Sequence, residues 1–140
     1  MFDRLKTSVL TFIILLIFDA IWINLFAGEF YAEQLRDIGR FGPEGAFDLR
    51  VLPGLGVYVL MTLALEMFVF PKRAVGKLRE RLIRGAFLGL CIYGVFDLTN
   101  RAILESYPIA MVMVDMTWGV SLFTATTWVR CQLRTQLTFL

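Results

Sequence analysis

TSVLTFIILLIFDAIWINLFAG, residues 7–28, decides what kind of object this chain is. These twenty-two consecutive residues carry a single charge, Asp19. An apolar helix of about 20 residues is what crosses the hydrocarbon of a bilayer. The same pattern returns at residues of about 51–70, 85–104 and 108–129, which reads as four spans. Pro53 and Pro108 fall at or near span starts, where a missing backbone N–H costs least, and Pro71 closes the second span.

Composition agrees. With 58% hydrophobic residues, 19% charged residues and a mean hydropathy of +0.69, the 140-residue chain has too little charge to cover a soluble domain of its size. It has room for one four-span domain and shows no linker, low-complexity tract or repeat that would divide it. The expected fold is all-α: an integral membrane four-helix bundle.

Basic residues set the expected orientation. Arg4, Lys6, Lys72, Arg73, Lys77, Arg79, Arg81, Arg84, Arg130 and Arg134 fall on one side, and Arg36, Arg40 and Arg50 on the other, with Arg101 inside the third span. Ten against three places both termini in the cytoplasm or its organellar equivalent, as in a bacterial or organellar inner membrane. The first span reads as a retained anchor, because only the weak Phe26-Ala27-Gly28 resembles a cleavage site. The net charge of +2 is then a topology signal, with the basic run at 72–84 meeting lipid headgroups and no nucleic acid.

Asp19, Asp97 and Asp115 each interrupt a different span, and a carboxylate in hydrocarbon demands a reason. At 1.5 Å of rise per residue, all three lie roughly 12–15 Å below the outer boundary. Antiparallel helices therefore bring them to one layer. Each also leads an i, i+3 pair on one helix face: Asp19 with Trp22, Asp97 with Asn100, Asp115 with Trp118. Tyr93, Thr99, Asn24 and Thr117 are further polar partners, and Arg101, one turn beyond Asp97, is placed to neutralise it. Glu66, near the inner end of its span, is expected to pair with Lys72 and Arg73.

Small residues suggest where helices approach. Gly85, Gly89 and Gly94 line the third span, Gly54 and Gly56 thin the second, and Gly119 with Ser121 thins the fourth. In the outer loop, residues 29–50, Phe30, Tyr31, Leu35 and Ile38 share one side of a short amphipathic helix, with Glu29, Glu33, Arg36, Asp37 and Arg40 on the others. This piece is expected to lie on the membrane surface, with a lid over the polar layer as the alternative.

Several strings in the chain resemble the predicted membrane proteins grouped as domain-of-unknown-function family 2177. They are Phe18-Asp19-Ala-Ile-Trp22, Glu29-Phe30-Tyr31, Arg84-Gly85-Ala86-Phe87-x-Gly89, Tyr93-Gly94-Val-Phe-Asp97-Leu98-Thr99-Asn100 and Asp115-Met-x-Trp118-Gly119. The resemblance covers most of the chain. It implies a four-span fold with signature residues at Asp19, Trp22, Tyr93, Asp97, Thr99, Asn100, Asp115 and Trp118, and it implies no activity. Arg101 and Glu105 depart from the apolar residues expected there.

The chemistry open to the layer is narrow. The chain has no histidine, which removes the usual haem ligation, His-rich di-iron sites and His-based triads. Cys91 and Cys131 fit neither a zinc motif nor a disulfide framework, so no metal or cofactor is expected. Three readings follow. In the first, the carboxylates fix helix register and the protein is a small accessory or assembly subunit of a larger membrane complex. In the second, the Asp19/Asp97/Asp115 layer binds a small ligand, a lipid, an ion or a proton in the manner of a transport protein. In the third, two aspartates share a proton and hydrolyse a substrate, although the Gly-x-Gly-Asp string of intramembrane aspartyl proteases is missing.

Overall fold

The computed structural model describes residues 2–43, 45, 47–71 and 77–137. They form helices α1 (Phe2–Trp22), α2 (Gly28–Gln34), α3 (Val51–Ala64), α4 (Leu78–Ile103) and α5 (Ile109–Leu137). Wide π turns at Ile23–Ala27 and Leu65–Val69 prolong α1 and α3. Four helical stretches are long and apolar enough to cross a membrane: Arg4–Gln34, Val51–Val69, Leu78–Ile103 and Ile109–Leu133.

Direction alternates along the chain. The connection 35–50 and the turn 104–108 lie at one end of the bundle, here the upper end. The first residues of α1, Phe70, the start of α4 and the end of α5 lie at the lower end. The 1–3 connection at the upper end is pinned by Arg40, whose Nε donates to Asp48 Oδ2 at 2.7 Å, and by Phe41 and Phe47, stacked at 4.7 Å.

The first span is longer than the sequence suggests. No separate amphipathic helix follows it; α1 runs through the π turn straight into α2 and ends at Gln34. A π turn adds one residue to a helical turn, so it rotates everything beyond it by about 100° relative to an uninterrupted α-helix. The inward positions of α1 are Thr11, Leu15, Phe18 and Trp22, after which they jump five to Ala27 and then continue to Tyr31. Leu25 and Phe26 consequently face outward, 72% and 71% exposed.

The closest packing joins α4 to α5. Each step of four residues up α4 meets a step of four down α5, with Gly85 against Thr127, Gly89 against Phe123 and Tyr93 against Gly119. A Cβ on Gly89 would run into the carbonyl of Gly119, and one on Gly119 into the Tyr93 ring, so glycine sets the helix separation there. By contrast Gly54 and Gly56 face open space, so the close approach expected of them is absent among the described residues. Phe123 is fully buried in this seam, whereas Phe26, Phe68 and Phe87 are exposed on three different helices.

Two apolar clusters fill the interior. The lower one gathers Leu15, Met61, Leu65, Val69, Phe70, Leu122 and Phe123, and the upper one Ala27, Tyr31, Tyr107, Met111 and Val112. At the lower end the buried Arg130 pairs with Glu66 and lies 3.9 Å from the Phe70 ring centroid, with Arg81 over the same ring at 5.6 Å. Glu66 thus takes its partner from α5, where the sequence pointed to Lys72 and Arg73, which lie outside the described residues. A guanidinium that stacks on an aromatic face and pairs at once suits this half-buried position.

Candidate functional site

Between the two apolar clusters lies the polar layer, and its organising feature is a crossing of α1 with α5. Both helices carry Asp-x-x-Trp, and they run in opposite directions. Asp19 therefore stands level with Trp118, and Trp22 with Asp115. Trp118 Nε1 donates to Asp19 Oδ1 at 2.7 Å. Trp22 Nε1 donates to the Tyr31 hydroxyl at 2.9 Å, and Tyr31 donates in turn to Asp115 Oδ1. An indole N–H is only ever a donor, so the Tyr31 proton must point at Asp115 and the relay has one direction. The two indoles stack at 4.5 Å with planes 6° apart.

The i, i+3 spacing therefore works differently from the sequence reading. It puts each carboxylate and its own indole on one face, as expected, but each motif bonds to the other helix. Aspartate cannot reach a tryptophan one turn up its own helix as well as it reaches one level with it across the interface.

α3 contributes Tyr58, whose hydroxyl donates to Asp19 Oδ2 at 2.6 Å, so both Asp19 oxygens accept. Tyr93 on α4 packs its ring against Gly119 and lies within electrostatic reach of Asp19, Asp115, Tyr31 and Tyr58. Asp97, also on α4, is completely buried. Its Oδ1 accepts from Tyr107 in the 104–108 turn at 2.6 Å, and its Oδ2 takes no hydrogen bond from the described residues. Burial first, and then the adjoining Asp97, push the Tyr107 phenol well above the usual tyrosine range, so it stays a donor; the Asn100 side chain also engages it.

Of the residues singled out from sequence, Asp19, Trp22, Tyr93, Asp115 and Trp118 meet at the crossing, and Asp97 with Asn100 meets Tyr107 just above. Arg101 makes no direct ion pair with Asp97. It is exposed and donates to the Tyr107 carbonyl at 2.8 Å. Thr99 is exposed on the flank of α4. Asn24 and Thr117 turn to backbone carbonyls of their own helices, at Ala20 and Met113.

Three tyrosines complete the layer and were not assigned to it from sequence. The amphipathic pattern of residues 29–50 puts Tyr31 on a surface helix, with a lid over the polar layer as the alternative; the π turn brings it inward, so that α2 covers the layer. Tyr58 sits in a span with no carboxylate level with it in the sequence. Tyr107 lies between the third and fourth spans. The available signal was chemical: three buried carboxylates need donors, and tyrosine hydroxyls can supply them.

The layer is made of carboxylates and neutral donors. Among the described residues no two aspartates hydrogen-bond to each other, as a proton-sharing dyad would, and no group of three or more Asp, Glu or Cys is placed to hold a metal ion. Set beside known proteins, a family model described as a predicted membrane protein (DUF2177) matches residues 4–132. No curated protein and no solved structure matches the chain.

Proposed function

Since the chain belongs to DUF2177, a family of predicted membrane proteins, we propose that it is a non-enzymatic multi-pass protein whose carboxylate layer fixes the bundle. It serves as a small accessory or assembly subunit of a larger membrane complex. The observation behind this reading is the crossed latch. Asp19, Asp115, Trp22, Trp118, Tyr31 and Tyr58 satisfy one another across four helices, which is what a register-setting scaffold requires. The outward surface is left for association: Gly54 and Gly56 face open space on α3, where small residues admit another helix. The distribution of basic residues supports a bacterial or organellar inner membrane with the lower end in the cytoplasm or its equivalent. The partners are then the bilayer and either a larger complex or a second copy.

Asp97 favours a second reading, in which the Asp19/Asp97/Asp115 layer binds a small ligand, a lipid or an ion. One of its oxygens is buried without a donor.

Native mass spectrometry on protein gently extracted from its own membrane separates the two. Stable co-purifying polypeptides, lost with the fold in Asp19→Asn, support the subunit reading. A stoichiometric small molecule retained by the wild type and released from Asp97→Asn, with the protein still folded, replaces it with the second.

A further inference from the structure

We infer that Asp97 is a proton-binding site, formed where a fully buried carboxyl on α4 meets the Tyr107 hydroxyl in the upper turn and makes no ion pair among the described residues. This deepens the second reading and rests on it.

The contrast with Asp19 carries the argument. Asp19 accepts on both oxygens, one bond coming from an indole that can only donate. Asp97 is more deeply buried and accepts on one oxygen only. Among the described residues it makes no ion pair. The ionisable groups around it are Tyr107 in the turn, Tyr93 and Arg101 one turn away on its own helix and Asp115 on α5, with Asp19 on α1 and Tyr31 on α2 beyond Asp115. Tyr107 and Tyr93 are neutral, Asp115 has the same sign as Asp97, and the one base turns to the Tyr107 carbonyl. A carboxylate buried among apolar helices with one neutral donor and an acidic neighbour relieves its charge by taking up a proton.

The placement of that proton follows. Oδ1 already receives the Tyr107 hydrogen, so the added proton resides on Oδ2: carboxylate plus one proton gives the acid, and Tyr107 keeps its own. A metal ion in place of the proton would need further oxygen ligands, and among the described residues no three acidic groups converge there. Tyr107 lies in the turn that ends the bundle and is itself buried, so the upper end is the nearer one to the carboxyl. Exchange with that side is the shorter route, and intramembrane carboxyls near one face serve proton relays.

Infrared spectroscopy of the whole protein in lipid nanodiscs reads the state directly. At neutral pH the wild type should show a carboxylic-acid C=O band that disappears at alkaline pH, and Asp97→Asn should lack one acid equivalent per chain. Tyr107→Phe should keep the proton and shift the band to higher frequency, since the C=O loses its hydrogen bond. That variant assigns the band even if Asp97→Asn does not fold. No acid band in the neutral wild type, a band unchanged in folded Asp97→Asn, or a band unmoved in Tyr107→Phe overturns the proposal. A band abolished by sodium at constant pH also overturns it, because an alkali ion then holds the site. None of these outcomes depends on co-purifying polypeptides, so failure here is distinct from failure of the subunit reading. It is distinct from failure of the binding reading too, since sodium occupancy or a retained small molecule leaves that reading standing.

Discussion

Trp22 on α1 and Trp118 on α5 lie face to face, ring centroids 4.5 Å apart and planes 6° from parallel, each level with the aspartate of the other helix. The stack holds the indoles edge to edge with the acceptors and contributes about 0.5–1.5 kcal/mol beyond its buried area. Trp118→Phe removes the N–H to Asp19 together with part of the ring stacked on Trp22. It is expected to cost about 1–3 kcal/mol, read from unfolding in lipid. In a double-mutant cycle with Asp19→Asn the two losses should be non-additive by at least about 0.5 kcal/mol, and simple additivity would show that the bond contributes nothing.

Tyr31 joins two groups where Tyr58 serves one. Tyr31→Phe leaves both the Trp22 N–H and Asp115 without a partner, while Tyr58→Phe leaves Asp19 still bound by Trp118. With each orphaned buried group costing about 1–3 kcal/mol, Tyr31→Phe should lower the Tm more than Tyr58→Phe. The reverse order would mean that α2 is not docked on the layer in the bilayer.

Glycines that look alike in sequence should respond in opposite ways. Gly89→Ala drives a methyl into the Gly119 backbone, which can yield only by separating α4 from α5, at about 1–3 kcal/mol. Gly54→Ala meets nothing within 4 Å and should be neutral or stabilise the isolated protein by up to about 1 kcal/mol. Thermal unfolding of the two purified variants checks the contrast. If Gly54→Ala loses a partner in the native membrane while its Tm is unchanged, α3 is the docking helix.

The lower end offers a charge test. Glu66→Gln leaves the Arg130 guanidinium buried beside Phe70 without its counter-ion and should destabilise by about 3–5 kcal/mol. Replacing both residues by methionine removes the charge together with its partner, and should recover much of that loss. A double variant no better than Glu66→Gln would show that the guanidinium matters through its stacking.

Much of this protein was legible before any coordinates. Four apolar stretches of span length have one economical solution, because in a bilayer each backbone polar group must be satisfied within its own helix. The rare carboxylates marked the interior for the same reason, and the glycine spacing of the third span marked a close helix approach without naming the partner. What the tertiary structure alone decided was the pairing. Whether Asp19 bonds Trp22 or Trp118, whether Glu66 finds the basic loop or Arg130, and whether Tyr31 faces water or Asp115 all depend on helix rotation and relative height. One π turn after Trp22 rotates α2 by about 100°. Periodicity read along a single helix assumes a constant turn and knows nothing of its neighbour's level. Composition and spacing therefore fix which residues must be inside, and only packing fixes which of them meet.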